Sequence, residues 1–185
     1  MRNLILKVIF FISLIAMITP VAYAEPSAKV MTKTMGKVMV LDFQLNDLTD
    51  LPNAPEELAR IAYLSSTFKQ KLVDDGVEIV PVNDQLKAVL LAQSPTYLFD
   101  HVEVAAKLAE GSGADYLFIG VALKPTYLFV YPRTLLVDIK TQKVVQARAS
   151  QLESSWSDKN TTARSAEKLA TMVSEELKKL AGQAN

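Results

Sequence analysis

The chain has 185 residues, no cysteine, and 20 basic against 20 acidic side chains. This balance argues against nucleic-acid binding, which needs a clustered basic face, and against a polybasic membrane anchor. Without cysteine we expect neither disulfides nor a lipidated cysteine. Half of the residues are apolar, which is typical of a folded globular protein.

The first 24 residues have the pattern of a secretory signal peptide. Arg2 and Lys7 precede the apolar run 8–18, which is too short to span a bilayer, and Ala22-Tyr23-Ala24 is a small-x-small cleavage site. We therefore expect cleavage after Ala24 and a periplasmic or secreted location. Removal of this segment leaves 161 residues with 18 basic and 20 acidic side chains, because Arg2 and Lys7 are its only charged residues.

The rest of the chain predicts a flexible leader over residues 25–36 and one α/β domain over residues 37–181. Short apolar runs rich in β-branched residues indicate strands, and apolar residues three and four positions apart indicate helices. The predicted elements are strand 38–43, helix 56–74, strand 77–80, helix 84–93, a helix between Asp100 and Gly111, strand 116–123, strand 127–139, strand 144–152 and helix 160–181.

Local signals set several of these boundaries. Asn83 is a predicted N-cap, and Asp100 with Glu103 predicts a capping box. Pro132 predicts a bulge or an unpaired edge position within its strand. Polar and apolar residues alternate in the last strand, which predicts one solvent-exposed face on which Gln146, Arg148 and Ser150 lie.

The order β-α-β-α-β-β-β-α predicts a mixed five-stranded sheet with helices packed on it. Two right-handed βα crossovers come first, and a β-meander follows. The expected strand order is 2-1-3-4-5.

Two short motifs in the second half of the chain are similar to a bacterial envelope pattern. They are Gly113-Ala114-Asp115 and Val137-Asp138-x-Lys140-Thr141-x-Lys143-Val144-Val145. Over residues 37–180 the chain resembles uncharacterised secreted proteobacterial proteins of a domain-of-unknown-function family. It also resembles the TolB amino-terminal domain, the CsgG-like proteins and the penicillin-binding-protein activator lipoproteins. The resemblance implies a fold, and a fold alone does not imply a function.

Few residues suggest catalysis. His101 is the only histidine, so a site with several histidine ligands is excluded. Ser66 and Lys69 match the Ser-x-x-Lys motif of penicillin-recognising enzymes, but Ser165 and Lys168 match it too, and the partner motifs are missing. No glycine-rich loop opens a helix to hold phosphate. We expect no catalytic residue, cofactor or metal.

Two places could bind a partner or a ligand. Asp42, Asp47 and Asp50 follow the first strand, where open α/β sheets bind ligands; capping and turn roles also explain such acids. Aromatic residues alternate along the long strand and continue beyond the next one: Tyr127, Phe129, Tyr131 and Trp156. They are core if a helix covers them, and otherwise a partner surface.

These observations predict a non-enzymatic accessory or protein-binding module of the bacterial envelope. Its partner would be an unidentified envelope protein, bound through loop 44–55 and the region 127–131. The alternative is a periplasmic protein that binds a small ligand at the ends of the first and third strands. An enzyme would require Asp42, His101 or the Ser66–Lys69 pair to converge.

Overall fold

A computed structural model of the protein describes residues 35–151 and 158–183. The predicted signal peptide, nearly all of the predicted leader, and Trp156 lie outside these residues. The elements in chain order are β1 (Val38–Val40), β2 (Gln44–Asp47), α1 (Pro55–Asp74), β3 (Ile79–Val80), α2 (Asp84–Ala92), α3 (Tyr97–Asp100), α4 (Val102–Ala109), β4 (Tyr116–Lys124), β5 (Tyr131–Asp138), β6 (Lys143–Ala149) and α5 (Lys159–Gln183).

The strands form one mixed sheet in the order β3-β1-β4-β5-β6. β1 runs parallel to both β3 and β4, whereas β5 and β6 follow β4 as antiparallel neighbours. β2 pairs with the second half of β4, so β1 and β2 together line one side of that strand. The mixed α/β fold and the predicted strand order are confirmed.

The first predicted strand is divided because Phe43 leaves the line of the sheet. Its ring packs against Gly120 so closely that a Cβ there would lie 2.6 Å from the ring. The Phe43 N–H donates to the Ser65 hydroxyl of α1 at 2.9 Å instead of to a strand. The chain resumes pairing with β4 only at Gln44.

Apolar residues fill both faces of the sheet. Alternate residues of β1 and β4 point to opposite sides, so Val40 and Phe118 pack under α1 and α5, while Met39 and Leu117 pack under α2 and α4. Phe68 of α1 stacks on Phe118 with ring centroids 4.3 Å apart. Both faces of β4 are therefore buried, as its apolar sequence predicts.

The predicted capping box at Asp100 is wrong. An additional turn, α3, precedes α4, and Asp100 is its last residue. The His101 N–H closes that turn on the Tyr97 carbonyl at 2.9 Å. α4 then starts with His101 as its N-cap residue, without a side-chain cap.

The predicted long strand 127–139 begins only at Tyr131. Residues 125–130 form a loop, and Tyr127 and Phe129 do not belong to a strand. Pro132 is paired opposite Ala122 inside β5, and the register shift lies between Leu136 and Val137 instead. The predicted bulge at Pro132 is therefore wrong, but Pro132 is unpaired towards β6, because the β5–β6 ladder begins at Arg133.

The prediction that Gln146 lies on the solvent-exposed face of the last strand is wrong. This side chain is buried, and its amide donates to the Met172 carbonyl of α5 at 3.0 Å. Ala147 and Ala149 are exposed instead. The register shift opposite β6 turns Gln146 inward, and the α5 carbonyl satisfies its amide.

Candidate functional site

Two loops leave the sheet side by side at one end of β4. Asp47 at the end of β2 is paired with Lys124 at the end of β4, so loop 48–54 and loop 125–130 begin next to each other. The Leu48 N–H donates to the Lys124 carbonyl at 3.0 Å. The register of one parallel strand pair thus brings together two loops that are distant in sequence.

Both loops expose large apolar side chains. We call this set the end patch; its members are between 44% and 71% exposed and are Leu48, Leu51, Tyr127, Leu128 and Phe129. Single exposed apolar residues are normal on a protein surface, but a group at one end of a sheet is characteristic of an interaction site. Leu58 is also exposed, near the start of α1.

One exposed acid lies in the loops of the end patch, Asp50. Neither residues 47–58 nor residues 125–130 include a lysine or an arginine. Glu56 is also exposed, at the start of α1, where it lines a cavity with Arg60 and Lys159. The loops of the end patch therefore present apolar side chains with one exposed carboxylate.

Lys124 lies buried beneath the two loops. Its Nζ is 3.2 Å from Asp47 Oδ2 and 3.0 Å from Glu57 Oε1, and it lies 5.4 Å from the centroid of the Tyr127 ring. The Lys124 side chain is 2% exposed, and that of Asp47 is fully buried. These contacts join β4, β2, α1 and loop 125–130 at one point.

The buried groups keep their charges because they are paired. Burial acts to raise the pKa of Asp47, but hydrogen bonds from the Thr49 hydroxyl and N–H and from Lys124 outweigh it, and the pKa is lowered. Burial acts to lower the pKa of Lys124, but its bonds to Glu57 and Asp47 outweigh it, and the pKa is raised. Both groups are therefore ionised at neutral pH.

The three acids predicted after the first strand have different surroundings. Asp42 is exposed and pairs with Lys69 at 2.8 Å. Asp47 is buried with Lys124, and Asp50 is exposed at the border of the end patch. Asp42 and Asp47 are paired with different lysines, and Asp50 is exposed elsewhere, so the three acids do not face one common pocket.

Some of the residues considered for catalysis do converge. Asp42, Ser66 and Lys69 line one open cavity of about 330 Å³ beside α1. The Ser66 hydroxyl donates to the Tyr63 carbonyl at 3.0 Å. His101 lies across the sheet, where its ring is 4.6 Å from the Tyr97 ring. Three of the candidate residues therefore lie together, but His101, the only histidine of the chain, is not among them.

The predicted aromatic surface is found partly at the end patch. Tyr127 and Phe129 belong to it, and Tyr131 is half-buried with its ring 6.5 Å from that of Phe129. Trp156 lies outside the described residues. Leu48, Leu51 and Leu128 lie within the predicted contact segments 44–55 and 127–131, but the sequence did not single them out, because scattered leucines resemble core residues.

Across residues 35–151 and 158–183, no group of three or more histidine, aspartate or glutamate residues is placed to hold a metal ion. In the same ranges, no helix has the length and apolar character needed to cross a membrane.

Residues 36–172 match the family model DUF3280, described as "Protein of unknown function (DUF2380)". The chain belongs to this family. The expected membership of a family of unknown function is confirmed. No curated protein matches the chain. The likeness to the TolB amino-terminal and CsgG-like domains is not shown by these comparisons and stays a prediction.

Three solved structures illustrate the likeness of this family member to other bacterial proteins. The PelC dodecamer from Paraburkholderia phytofirmans is 17% identical, with 78% of this chain and 89% of that chain covered and a TM-score of 0.46. The LpoB C-terminal domain from Escherichia coli is 16% identical, with 66% of this chain and 86% of that chain covered and a TM-score of 0.45. Lipoprotein GNA1162 from Neisseria meningitidis is 14% identical, with 81% of this chain and 99% of that chain covered and a TM-score of 0.45.

Proposed function

We propose that this protein is a non-enzymatic accessory module of the bacterial envelope that binds a protein partner through the end patch. The observation that carries the proposal is the exposure of five large apolar side chains on two adjacent loops. Burial of such side chains against a partner removes apolar area from water, which is the main driving force of protein association.

Contacts hold the first residues of loop 48–54, and Tyr127 of the other loop lies over the buried Lys124. The Thr49 N–H and hydroxyl both donate to Asp47 Oδ1, at 3.0 and 2.7 Å, and Leu48 is bonded to the Lys124 carbonyl. Lys124 beneath them bridges Asp47 and Glu57. A surface ordered in advance loses less conformational entropy on binding, so more of the apolar contact contributes to affinity.

The chemistry of the partner follows from the border of the end patch. Asp50 is exposed there, and the two loop regions contain no lysine or arginine apart from the buried Lys124. Charges across protein interfaces are arranged to be complementary. The partner surface is therefore apolar at its centre, with a lysine or arginine side chain facing Asp50.

A binding role is favoured over catalysis by the state of the candidate catalytic groups. Lys69 is engaged by Asp42, and the Ser66 hydroxyl by a backbone carbonyl. A nucleophile needs an adjacent base that is free to take its proton, and His101 is on the other side of the sheet.

Site-specific photo-crosslinking in cells tests the proposal. A photo-reactive phenylalanine analogue is placed at Leu51, at Leu128, or at Leu91 as a control, because Leu91 is 89% exposed on α2, away from the end patch. We expect the two end-patch positions to capture the same protein through an apolar peptide that includes lysine or arginine. The control position should not capture it.

A charged substitution then tests whether the end patch drives the capture. With the crosslinker at Leu51, Leu128→Asp should lower the yield at least about tenfold, since a charge is forced into the apolar contact. Leu91→Asp is the matched control and should leave the yield unchanged. Equal capture from Leu91, or capture that is insensitive to Leu128→Asp, contradicts the proposed binding surface.

A further inference from the structure

A second site lies between the end of β6 and the first turns of α5. It is a cavity of about 200 Å³, and the described residues that line it are all polar or cationic: Ser150, Gln151, Thr161, Arg164, Ser165 and Lys168. None of these six residues carries a carboxylate. The cavity includes the second Ser-x-x-Lys match of the sequence, Ser165 with Lys168, to which the proposed binding function gives no role.

Both cations at this cavity have donors to spare. Arg164 and Lys168 are four residues apart on α5, so their side chains lie on the same side of the helix. Arg164 donates to the Thr161 hydroxyl at 3.2 Å, and neither cation forms an ion pair within residues 35–151 and 158–183. The cavity therefore has a positive wall, and Arg164 also helps to lower the pKa of Asp158 without forming an ion pair with it.

Asp158 acts on this wall through Arg164, and its carboxylate oxygens already accept hydrogen bonds from Asn160 and Thr161. Hydrogen bonding from the Thr161 hydroxyl is the main cause that lowers the pKa of Asp158, with further bonds from the Asn160 and Thr161 N–H groups. Asp158 thus satisfies the backbone N–H groups at the start of α5, and a ligand in the cavity would be held by side chains rather than by the helix terminus.

The hydroxyl of Ser150 independently indicates that the cavity can bind a ligand. Its hydroxyl oxygen is buried and has no hydrogen-bond partner, the only such side-chain atom in the described part of the chain. Buried polar atoms without a partner are rare in folded proteins, because their desolvation is not compensated. An oxygen atom of a ligand in this cavity would accept a hydrogen bond from the Ser150 hydroxyl.

We propose that this cavity binds a phosphate group. Arg164 and Lys168 supply the charge, and the Ser150 and Ser165 hydroxyls supply neutral donors. Arginine with its planar set of N–H groups, lysine and hydroxyl donors are the groups that proteins use for phosphate oxygens. The phosphate belongs either to a small soluble molecule or to a lipid headgroup, since both present the same anionic oxygens.

Titration with inorganic phosphate, followed by NMR of the ¹⁵N-labelled chain, tests the site. Ionic strength is kept constant with sodium chloride, so that general screening does not change. We expect saturable shifts confined to the amides of Ser150, Gln151 and residues 161–168. Shifts that grow linearly without saturation, or that spread over the whole surface, would overturn the proposal.

Two sets of variants separate this site from general electrostatics. Arg164→Gln with Lys168→Gln should weaken phosphate binding at least about tenfold, while Lys178→Gln with Lys179→Gln removes the same charge from α5 and should leave it unchanged. Ser150→Ala should weaken binding without lowering the thermal midpoint, because the hydroxyl it removes has no partner. If the two double variants bind phosphate equally well, the proposed phosphate site is contradicted.

Vesicles distinguish the two sources of the phosphate. Co-sedimentation with phosphatidylcholine vesicles is compared with and without phosphatidylglycerol. Binding that requires phosphatidylglycerol together with Arg164 and Lys168 identifies a lipid headgroup. Saturable binding of inorganic phosphate without vesicle binding identifies a soluble ligand. Failure in both arms refutes the phosphate site and leaves the end patch untouched, since that surface lies on different loops.

Discussion

Lys124 is 2% exposed, a position that a lysine occupies only when its charge is compensated. The transfer of an ammonium group out of water costs several kcal/mol, and the two carboxylates of Asp47 and Glu57 offset that cost through short contacts. Because the three groups come from β4, β2 and α1, their pairing is satisfied only when these elements are correctly assembled.

Lys124→Met should destabilise the protein strongly. The substitution leaves Asp47 fully buried without its cation, and the loss of one member of a buried ion cluster costs about 3–5 kcal/mol. Lys179→Met is the matched control, since Lys179 is exposed and forms a loose pair with Glu176; its effect should stay within about 0.5 kcal/mol. Urea denaturation at pH 7 measures both.

The pH dependence of this difference has a definite sign. The pKa of Asp47 is below 3.8 in the folded state, so its stabilisation is present above that pH and is lost as the pH falls through the folded value. The pKa of Lys124 is above 10.5, so its stabilisation is present below pH 10.5 and is lost as the pH rises further. The difference between wild type and Lys124→Met should therefore be largest between these limits; a constant difference down to pH 2 contradicts the ion cluster.

At the scale of helices and strands, the boundaries that depend on nearby residues could be predicted. The Asn83 cap of α2 is observed as predicted, with the Leu86 N–H donated to its side chain at 2.9 Å. The strand order follows from crossover rules that need only the sequence of elements. The break at Phe43 could not be predicted, because it depends on Gly120 and Ser65, which are distant in sequence.

The candidate site was predictable to a similar degree. Tyr127 and Phe129 were recognised by their aromatic character, although the assignment to a strand was wrong. Lys124 was missed because its hydrogen-bond partner Asp47 is 77 positions away, and nothing in the local sequence distinguishes a buried lysine from one at an exposed strand end.

Asn83 also joins two helices, and this role can be separated from its cap. Its Nδ2 donates to the Leu108 carbonyl of α4 at 2.7 Å, while its Oδ1 caps α2. Asn83→Ala removes both bonds and should destabilise by about 1–3 kcal/mol. Asn83→Ser keeps a cap oxygen but is too short to reach Leu108, so it should lie between wild type and Asn83→Ala. Equal loss in the two variants in thermal unfolding would show that the cap contributes nothing.

At the scale of the whole molecule, β4 unites the two layers of the core. It is paired with β1 and β2 on one side, except at Ile119 and Gly120, and with β5 on the other, and its side chains enter both apolar clusters. β6 lies at the edge of the sheet, and most of its residues are exposed. Opening of β4 therefore disrupts both layers, whereas opening of β6 exposes little apolar surface.

Native-state hydrogen exchange should reproduce this difference. We expect the amides of residues 117–122 to exchange only by global unfolding, with an opening free energy equal to that from urea denaturation. Amides of β6 should exchange through local opening, at least about 2 kcal/mol more easily, because the edge strand is paired on one side only. Equal protection of β6 and β4 would contradict an open edge. If that protection fell on dilution, a second copy of the chain would be covering β6 in solution.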